Sequence, residues 1–316
     1  MMFDNILQII GRTPIVKLNK VSQSLSCNLY GKCEFLNPGG STKDRAAYQM
    51  ICDAEAEGRI KPGDTLIEPS SGNTGIGLAM AGAVKGYKVI ITVAAKVSRE
   101  KQVILEALGA TVYRAPPNVA WDHPDSNIML AKRLQSETPN SHMLNQYTNP
   151  SNTKSHYEHT AKEILDDFGD TLNMMVMGVG TGGTVTGIAT RLKAANPHIK
   201  IIGVDPNGSI LGGGQYKGDF YVEGIGYDFY PEVLNNTLID DYVKVDDKDS
   251  FLMAKRLIKE EGLLVGGSAG SAVCAALQAA KILKPGDNCL VILPDTAHNY
   301  LSKFVDDEWM KTRGFM

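Results

Sequence analysis

Met174-Met175-Val176-Met177-Gly178-Val179-Gly180-Thr181-Gly182-Gly183-Thr184 reads as an apolar strand, a glycine-rich turn and the first residue of a helix. The helix continues over 184–195, where Val185, Ile188, Ala189, Leu192 and Ala195 fall on one face at helical spacing. A further strand over 201–204 follows, so the unit is strand, helix, strand, which predicts a parallel sheet. The same alternation extends both ways. Strand 65–68, helix 73–85, strand 88–93 and helix 99–108, stopped by Gly109, lie upstream; helix 269–282 and strand 289–293 lie downstream. The chain is therefore expected to be α/β, with no repeat period or low-complexity tract. Two stretches interrupt it. Asn145-Gln146-Tyr147-Thr148-Asn149-Pro150-Ser151-Asn152 is a polar, proline-bearing break that predicts a boundary near 145–155. Residues 208–218, with Gly212, Gly213 and Gly214 in succession, read either as a moving segment over a site or as a plain surface loop.

At about 150 residues per domain, 316 residues predict two domains or one large α/β unit. With 43% hydrophobic and 21% charged residues, the chain carries enough apolar material for a full core, which excludes disorder. Lys plus Arg is 32 and Asp plus Glu is 35, so the formal charge is 32 - 35 = -3. That balance supplies no basic excess for nucleic acid or an acidic membrane surface. No stretch reaches the ~20 apolar residues of a membrane span, and the start has neither a basic leader nor an apolar signal region. Five cysteines, an odd number with no CxxC pair, argue against a disulfide framework and for a reducing cytoplasm. His156 and His159, with Glu163 nearby, have the spacing of a shared helix face but read as a solvated face; no metal site is expected.

Four turns carry the chemistry. Asn37-Pro38-Gly39-Gly40-Ser41-Thr42-Lys43-Asp44-Arg45 lacks the G-x-x-x-x-G-K-[ST] spacing, which disfavours nucleotide hydrolysis. Lys43 is then either a site lysine, activated by desolvation at a helix start, or an exposed lysine at a helix N-terminus capped by Ser41 or Thr42. Glu68-Pro69-Ser70-Ser71-Gly72-Asn73-Thr74-Gly75 opens a helix whose first amides are free to take a carboxylate or phosphate. Gly178 to Thr184 fits G-x-G-x-x-G, with Asp205 ending the next strand where a dinucleotide enzyme places its ribose acceptor. A bare phosphate on Gly180, Thr181, Gly182, Gly183 and Thr184 explains that loop equally well. Gly266-Gly267-Ser268-Ala269-Gly270 is the fourth, again between an apolar run and a helix. Four such turns at strand carboxyl ends converge on one crevice in an open α/β sheet.

In that order, these turns resemble the fold type II pyridoxal phosphate enzymes. Glu223-Gly224-Ile225-Gly226-Tyr227-Asp228-Phe229, residues 140–147 and residues 204–211 resemble the cystathionine β-synthase branch more than the O-acetylserine sulfhydrylases. The resemblance implies two open, twisted, mostly parallel sheets flanked by helices, of the tryptophan synthase β type, with pyridoxal 5'-phosphate in the cleft between domains. It implies a larger cofactor domain of residues 1–44 plus 149–316 and a smaller, mobile substrate domain of 45–148. Lys43 would hold the cofactor covalently and act as base on the substrate α-proton. Gly180, Thr181, Gly182, Gly183 and Thr184 would take the phosphate, Asn73 the phenolic oxygen and Ser268 the ring nitrogen. Ser70, Ser71, Gly72, Thr74 and Gln146 would hold the substrate carboxylate, with Tyr147 and Tyr227 at the entrance. The implied reaction condenses L-serine with L-homocysteine to L-cystathionine, with hydrogen sulfide released when cysteine replaces serine.

The family's vertebrate-type members begin with a haem-binding segment and end with paired regulatory domains. This sequence starts at Phe3-Asp4-Asn5-Ile6 and ends at 309–316, so neither haem nor activation by S-adenosylmethionine is expected. Ala94-Ala95 stands where proline and glutamate are common. Serine, O-acetylserine or cysteine as donor, and homocysteine or sulfide as acceptor, stay open, as does a non-catalytic role for the fold. A dehydrogenase leaves Lys43 unexplained. Small amino acids are the expected partners, in a homodimer; residues 6–10 read equally as core.

Overall fold

The computed structural model describes all residues except Met1, Asn118, Tyr216, Lys217 and Asp219. The last three fall in or beside the irregular stretch 208–218, so part of that stretch lies outside the described residues. Its described beginning is turn and bend.

The strands are β1 (Ile15–Lys17), β2 (Asn28–Cys33), β3 (Thr65–Ser70), β4 (Lys88–Val93), β5 (Thr111–Arg114), β6 (Ser141–Met143), β7 (Leu172–Gly178), β8 (Lys200–Pro206), β9 (Asp241–Val245) and β10 (Asn288–Leu293). They make two sheets, of order β1-β2-β10-β7-β8-β9 and β5-β4-β3-β6. All neighbours run parallel except β1, which pairs antiparallel with β2 at an edge. This is the expected fold class. β7 lies between β10 and β8, which is why Met174, Met175, Val176 and Met177 form an unbroken apolar run and are all 0% exposed. Strand β3 continues past its predicted end at Glu68 to Ser70, through a proline. β6 pairs with β3 only at Thr65, Leu66 and Ile67, so Pro69, with no amide to give, falls beyond that ladder.

The helices are α1 (Lys43–Ala56), α2 (Asn73–Lys85), α3 (Arg99–Ala107), α4 (Asn127–Glu137), α5 (Pro150–Ser155), α6 (Ala161–Phe168), α7 (Gly183–Ala195), α8 (Asp247–Glu261), α9 (Gly267–Ala279) and α10 (Asp307–Thr312). On the four-stranded sheet, Ala47, Met50 and Ile51 of α1 join Ile76 and Leu78 of α2 in one core with Val89 and Ile91 of β4. The six-stranded sheet is covered on both faces. Ala269, Ala272 and Val273 of α9 meet Leu257 of α8 on one side, and Val185, Ile188 and Leu192 of α7 meet Ile164 of α6 on the other. α8 and α9 touch backbone to backbone, since a Cβ on Gly270 would lie 1.9 Å from Ser250 O. Of residues 6–10, Leu7 is buried while Ile6 and Ile9 remain exposed.

The predicted break at 145–155 proves to be a turn and a helix start. Pro150 takes the first helical position, where no amide is needed, and Asn149 Oδ1 accepts from Ser151 N at 2.9 Å. α5 passes into α6 through a π turn at His156–Thr160. The wider turn separates the two histidines: His156 is 0% exposed while His159 faces outward. The solvated-face reading is thus corrected for His156, whose Nδ1 meets Thr160 Oγ1 at 3.0 Å and Nε2 meets Thr184 Oγ1 at 3.1 Å. Burial, reinforced by Lys43, pushes its pKa down to about 3, so the ring is neutral at physiological pH. Among the described residues, no group of three or more His, Cys, Asp or Glu has the arrangement of a metal site. All five cysteines are free, and no described helix is long and apolar enough to cross a membrane.

Candidate active site

The carboxyl ends of β7 and β10 and the N-termini of α1, α2, α7 and α9 meet at one cavity, lined among others by Lys43, Asn73, Gly180, Thr184, Ser268 and Asp295. All four glycine-rich turns therefore reach the same place.

Lys43 is the first residue of α1; the cap residue Thr42 makes no side-chain capping bond, and its Oγ1 is buried without a partner. Ser41 Oγ accepts from Lys43 N at 3.2 Å, as the capped reading expected, but the lysine is not exposed: its amine is desolvated and it lines the cavity. The Lys43 amine lies 3.5 Å from Thr181 Oγ1 and, among the described residues, has no carboxylate within ion-pair distance. Desolvation lowers its pKa to about 8, and the positive end of α1 disfavours the cation further. An appreciable fraction is thus the free, nucleophilic amine near neutral pH.

Opposite stands the start of α7. Gly182 is its cap at φ +90° and has no side chain to offer; Thr181 Oγ1 accepts from Gly183 N at a long 3.4 Å, so the first amides are left largely to an anion. The glycines are demanded from behind. A Cβ on Gly180 would sit 2.5 Å from Gly224 O, and one on Gly183 would sit 2.1 Å from Asn152 Oδ1. Asn152 Nδ2 donates to Thr181 Oγ1 at 3.0 Å and so fixes the loop. Gly183→Ala is expected to push the loop off Asn152 and weaken retention of a phosphate-bearing ligand about 10- to 100-fold, the value of one or two charge-assisted amide bonds. Fluorescence titration of the apoprotein measures this; unchanged affinity refutes a phosphate role for the loop.

At the start of α2 several of the expected site residues also bond within the chain. Ser70 Oγ accepts from Gly72 N at 3.0 Å and Gly75 N at 3.1 Å, so its hydroxyl caps the helix from within the chain. Thr74 Oγ1 donates to Gln146 Oε1 at 2.7 Å, and Gln146 Nε2 to Pro69 O at 3.0 Å, so these two side chains brace the loop. Glu68 accepts from the amides of Asn145 and Gln146 at 2.8 Å each, and burial raises its pKa to about 7. Gly72, at φ +110°, leaves room for the Lys101 stem, whose Cδ would lie 2.5 Å from a Cβ there. Ser71 alone of this set opens on both the cavity and its vestibule.

The vestibule shares Ser71, Gly224 and Ile225 with the inner cavity. Tyr147 and Tyr227 stand in its wall with ring centroids 5.6 Å apart, edge to face, and Phe229 packs on both. Ser268, at the start of α9, is buried and lines the inner cavity. Asp205, the alternative ribose acceptor, is instead paired with Lys244 at 2.8 Å and Gly212 N at 2.9 Å inside the sheet. Sequence reasoning passed over Asp295 and Asn152. The available signal for Asp295 was its place two residues past a strand end that had been identified.

Together these groups suit a ligand with a phosphate for α7 and a carbonyl for the amine of Lys43. Residues 6–295 match the family described as pyridoxal-phosphate dependent enzyme. The chain is 54% identical to a cystathionine beta-synthase of Dictyostelium discoideum, covering 100% of this chain and 64% of that protein. It is 53% identical to one from Mus musculus, covering 99% and 57%. It thus spans less than two thirds of either relative. A crystal structure of an O-acetylserine dependent cystathionine beta-synthase from Helicobacter pylori superposes with a TM-score of 0.90 at 40% identity, covering 96% of this chain and 98% of that one.

Proposed function

The chain belongs to the pyridoxal-phosphate dependent enzyme family, and from that premise we propose that it joins L-serine to L-homocysteine by β-replacement, giving L-cystathionine and water. The observation that carries the proposal is the desolvated Lys43 amine sharing one cavity with Asn73, Ser268 and the N-terminus of α7. Bound pyridoxal phosphate supplies an electron sink that acidifies the α-proton of an attached amino acid and loosens its β-substituent. Lys43 would hold the cofactor, and its Nζ would take the α-proton of the substrate; its lowered pKa suits that task. The α7 amides and the Thr181 and Thr184 hydroxyls would hold the phosphate, and Asn73 would serve the phenolic oxygen. Ser268 offers the ring nitrogen a neutral hydroxyl instead of a carboxylate, which favours elimination over transamination.

The carboxylate of the amino acid goes to Ser71 and the free amides of α2, with Ser70, Gly72, Thr74 and Gln146 as the frame of that pocket. Tyr147 and Tyr227 screen it from water. We assign residues 45–148 to a smaller domain that moves on substrate binding, and 1–44 with 149–316 to the larger one. A homodimer fits the exposed Met2, Phe3, Ile6 and Ile9; light scattering tests it. Free cysteines suit a cytoplasmic setting. No step needs a haem, and a Soret band in the purified protein would contradict this.

Mass spectrometry of product from serine plus homocysteine is the test, with hydrogen sulfide from cysteine as the expected side activity. A second reading has O-acetylserine as donor, favoured by the Helicobacter pylori structure, which this chain resembles over nearly its whole length. Cysteine formed from O-acetylserine and sulfide, without cystathionine, would assign a cysteine synthase instead.

A further inference from the structure

Asp295 has no role in the scheme above, yet it lines the inner cavity and is 1% exposed. Its Oδ2 accepts from Asn73 Nδ2 at 2.8 Å and from Tyr300 Oη at 2.6 Å, while Oδ1 is buried without a partner. Asn299 Nδ2 donates to Asn73 Oδ1 at 3.2 Å. Both ends of the Asn73 amide are therefore occupied, one Nδ2 hydrogen is left over, and Asn73 itself lines the cavity.

We propose that Asp295 is a positioning residue that, with Asn299, locks the Asn73 amide in the orientation that offers its remaining N–H to the bound cofactor. The inference rests on the cofactor assignment made above. A carboxylate only accepts, so it dictates which end of the amide is nitrogen; an asparagine or water in its place does not. The acceptor is itself held. Lys101 Nζ donates to Tyr300 Oη and to Glu223 Oε2, each at 2.9 Å, which ties Asp295 through Tyr300 to α3 and to the vestibule wall. Gly266 makes the room, since a Cβ there would fall 2.0 Å from Asp295 Oδ1. Burial raises the Asp295 pKa, opposed by Lys101 and by the bonds from Tyr300 and Asn73. The Asn73 bond bridges 222 positions and joins the start of α2, which packs on the four-stranded sheet, to the turn after β10 of the six-stranded sheet.

The experiment compares wild type, Asp295→Asn, Asn73→Ala and the double variant, each loaded with pyridoxal phosphate. Readouts are the visible absorbance spectrum of the resting protein, cofactor affinity, and kcat and KM for serine. Asp295→Asn lets the Asn73 amide turn over, so the visible band should move and cofactor affinity should fall about tenfold, one charge-assisted hydrogen bond's worth. Added to Asn73→Ala, the same change should cost nothing more. A purely structural Asp295 lowers the melting temperature but leaves the band in place, and effects that add to those of Asn73→Ala overturn the proposal. Should Asp295→Asn not fold, Asn299→Ala frees the other end of the amide and must shift the band in the same direction. Wild-type protein that takes up no pyridoxal phosphate defeats the functional reading and this inference together. Wild-type uptake with an unmoved Asp295→Asn spectrum defeats this inference alone.

Discussion

Lys43→Ala is expected to lower turnover by about 10²- to 10⁴-fold, the range of a lost general base, on top of the loss of the covalent hold on the cofactor. The fold should survive. Lys43 is only the first residue of α1, and alanine is the best helix former. The apoprotein should in fact gain stability. In the folded chain desolvation pulls the Lys43 pKa from 10.5 down to about 8, so the unfolded chain binds more protons between those values. Linkage then makes stability rise with pH across about 8 to 10.5, and the penalty is fully present below about pH 8. Removing the amine removes the penalty, so the cofactor-free variant should melt no lower than wild type at pH 7. A variant with near-normal turnover, or one that is unfolded, contradicts the role and the burial argument respectively.

Arg45→Met should have the largest effect on stability, about 3–5 kcal/mol, because it strips a buried network of its central cation. Arg45 Nε lies 2.7 Å from Glu34 Oε2, and its Nη1 lies 2.6 Å from Glu163 Oε1, with further bonds from Nη2 to both carboxylates. Lys32 reaches Glu163 at 2.8 Å, and Thr13 donates to Glu34 at 2.6 Å. Lys32 and Glu34 are both 0% exposed, so methionine would leave Glu34 charged in the interior with its fork gone. For a chain of this length the loss corresponds to a melting temperature lower by about 5–8 °C. Arg45→Lys keeps the charge but not the two-pronged geometry and should fall between. The pH signature is separate. Burial disfavours the charged Glu34, yet Arg45 and Lys32 hold its pKa at about 2, below the ordinary 4.5. Its contribution is present above about pH 4.5 and is lost as pH falls towards 2. Calorimetry from pH 7 to 3 should show wild type losing stability faster than Arg45→Met. Parallel curves would mean that the network does not hold the ionised carboxylate.

The parts of this fold legible in the sequence are those set by local pattern. Helix 73–85 and strand 88–93 have the bounds read from glycine, alanine and β-branched spacing, and the strand–turn–helix at 174–195 sits at the centre of its sheet. Lys43, Asn73, Ser268 and the loop at 180–184 lie in separate turns whose convergence on one crevice follows from the strand–turn–helix pattern, and one cavity is lined by all four. What stayed hidden depends on partners distant in the chain. That Ser70 Oγ also accepts from Gly72 N and Gly75 N is not legible, because a hydroxyl in a turn looks the same whether it only faces a ligand or also caps its own helix. His156 looked solvated because its burial depends on a π turn and on Thr184. The Asn73–Asp295 pair and the Lys101–Glu223 ion pair are 222 and 122 positions apart, and no periodicity records them.

The central claim is that Lys43 carries pyridoxal phosphate in the cavity where these turns meet. Borohydride reduction of cofactor-loaded protein, followed by peptide mass spectrometry, tests it most directly. One reduced pyridoxyl phosphate adduct per chain is expected, on the peptide containing Lys43, and none in Lys43→Ala. An adduct confined to other lysines, or no adduct in saturated protein, contradicts it.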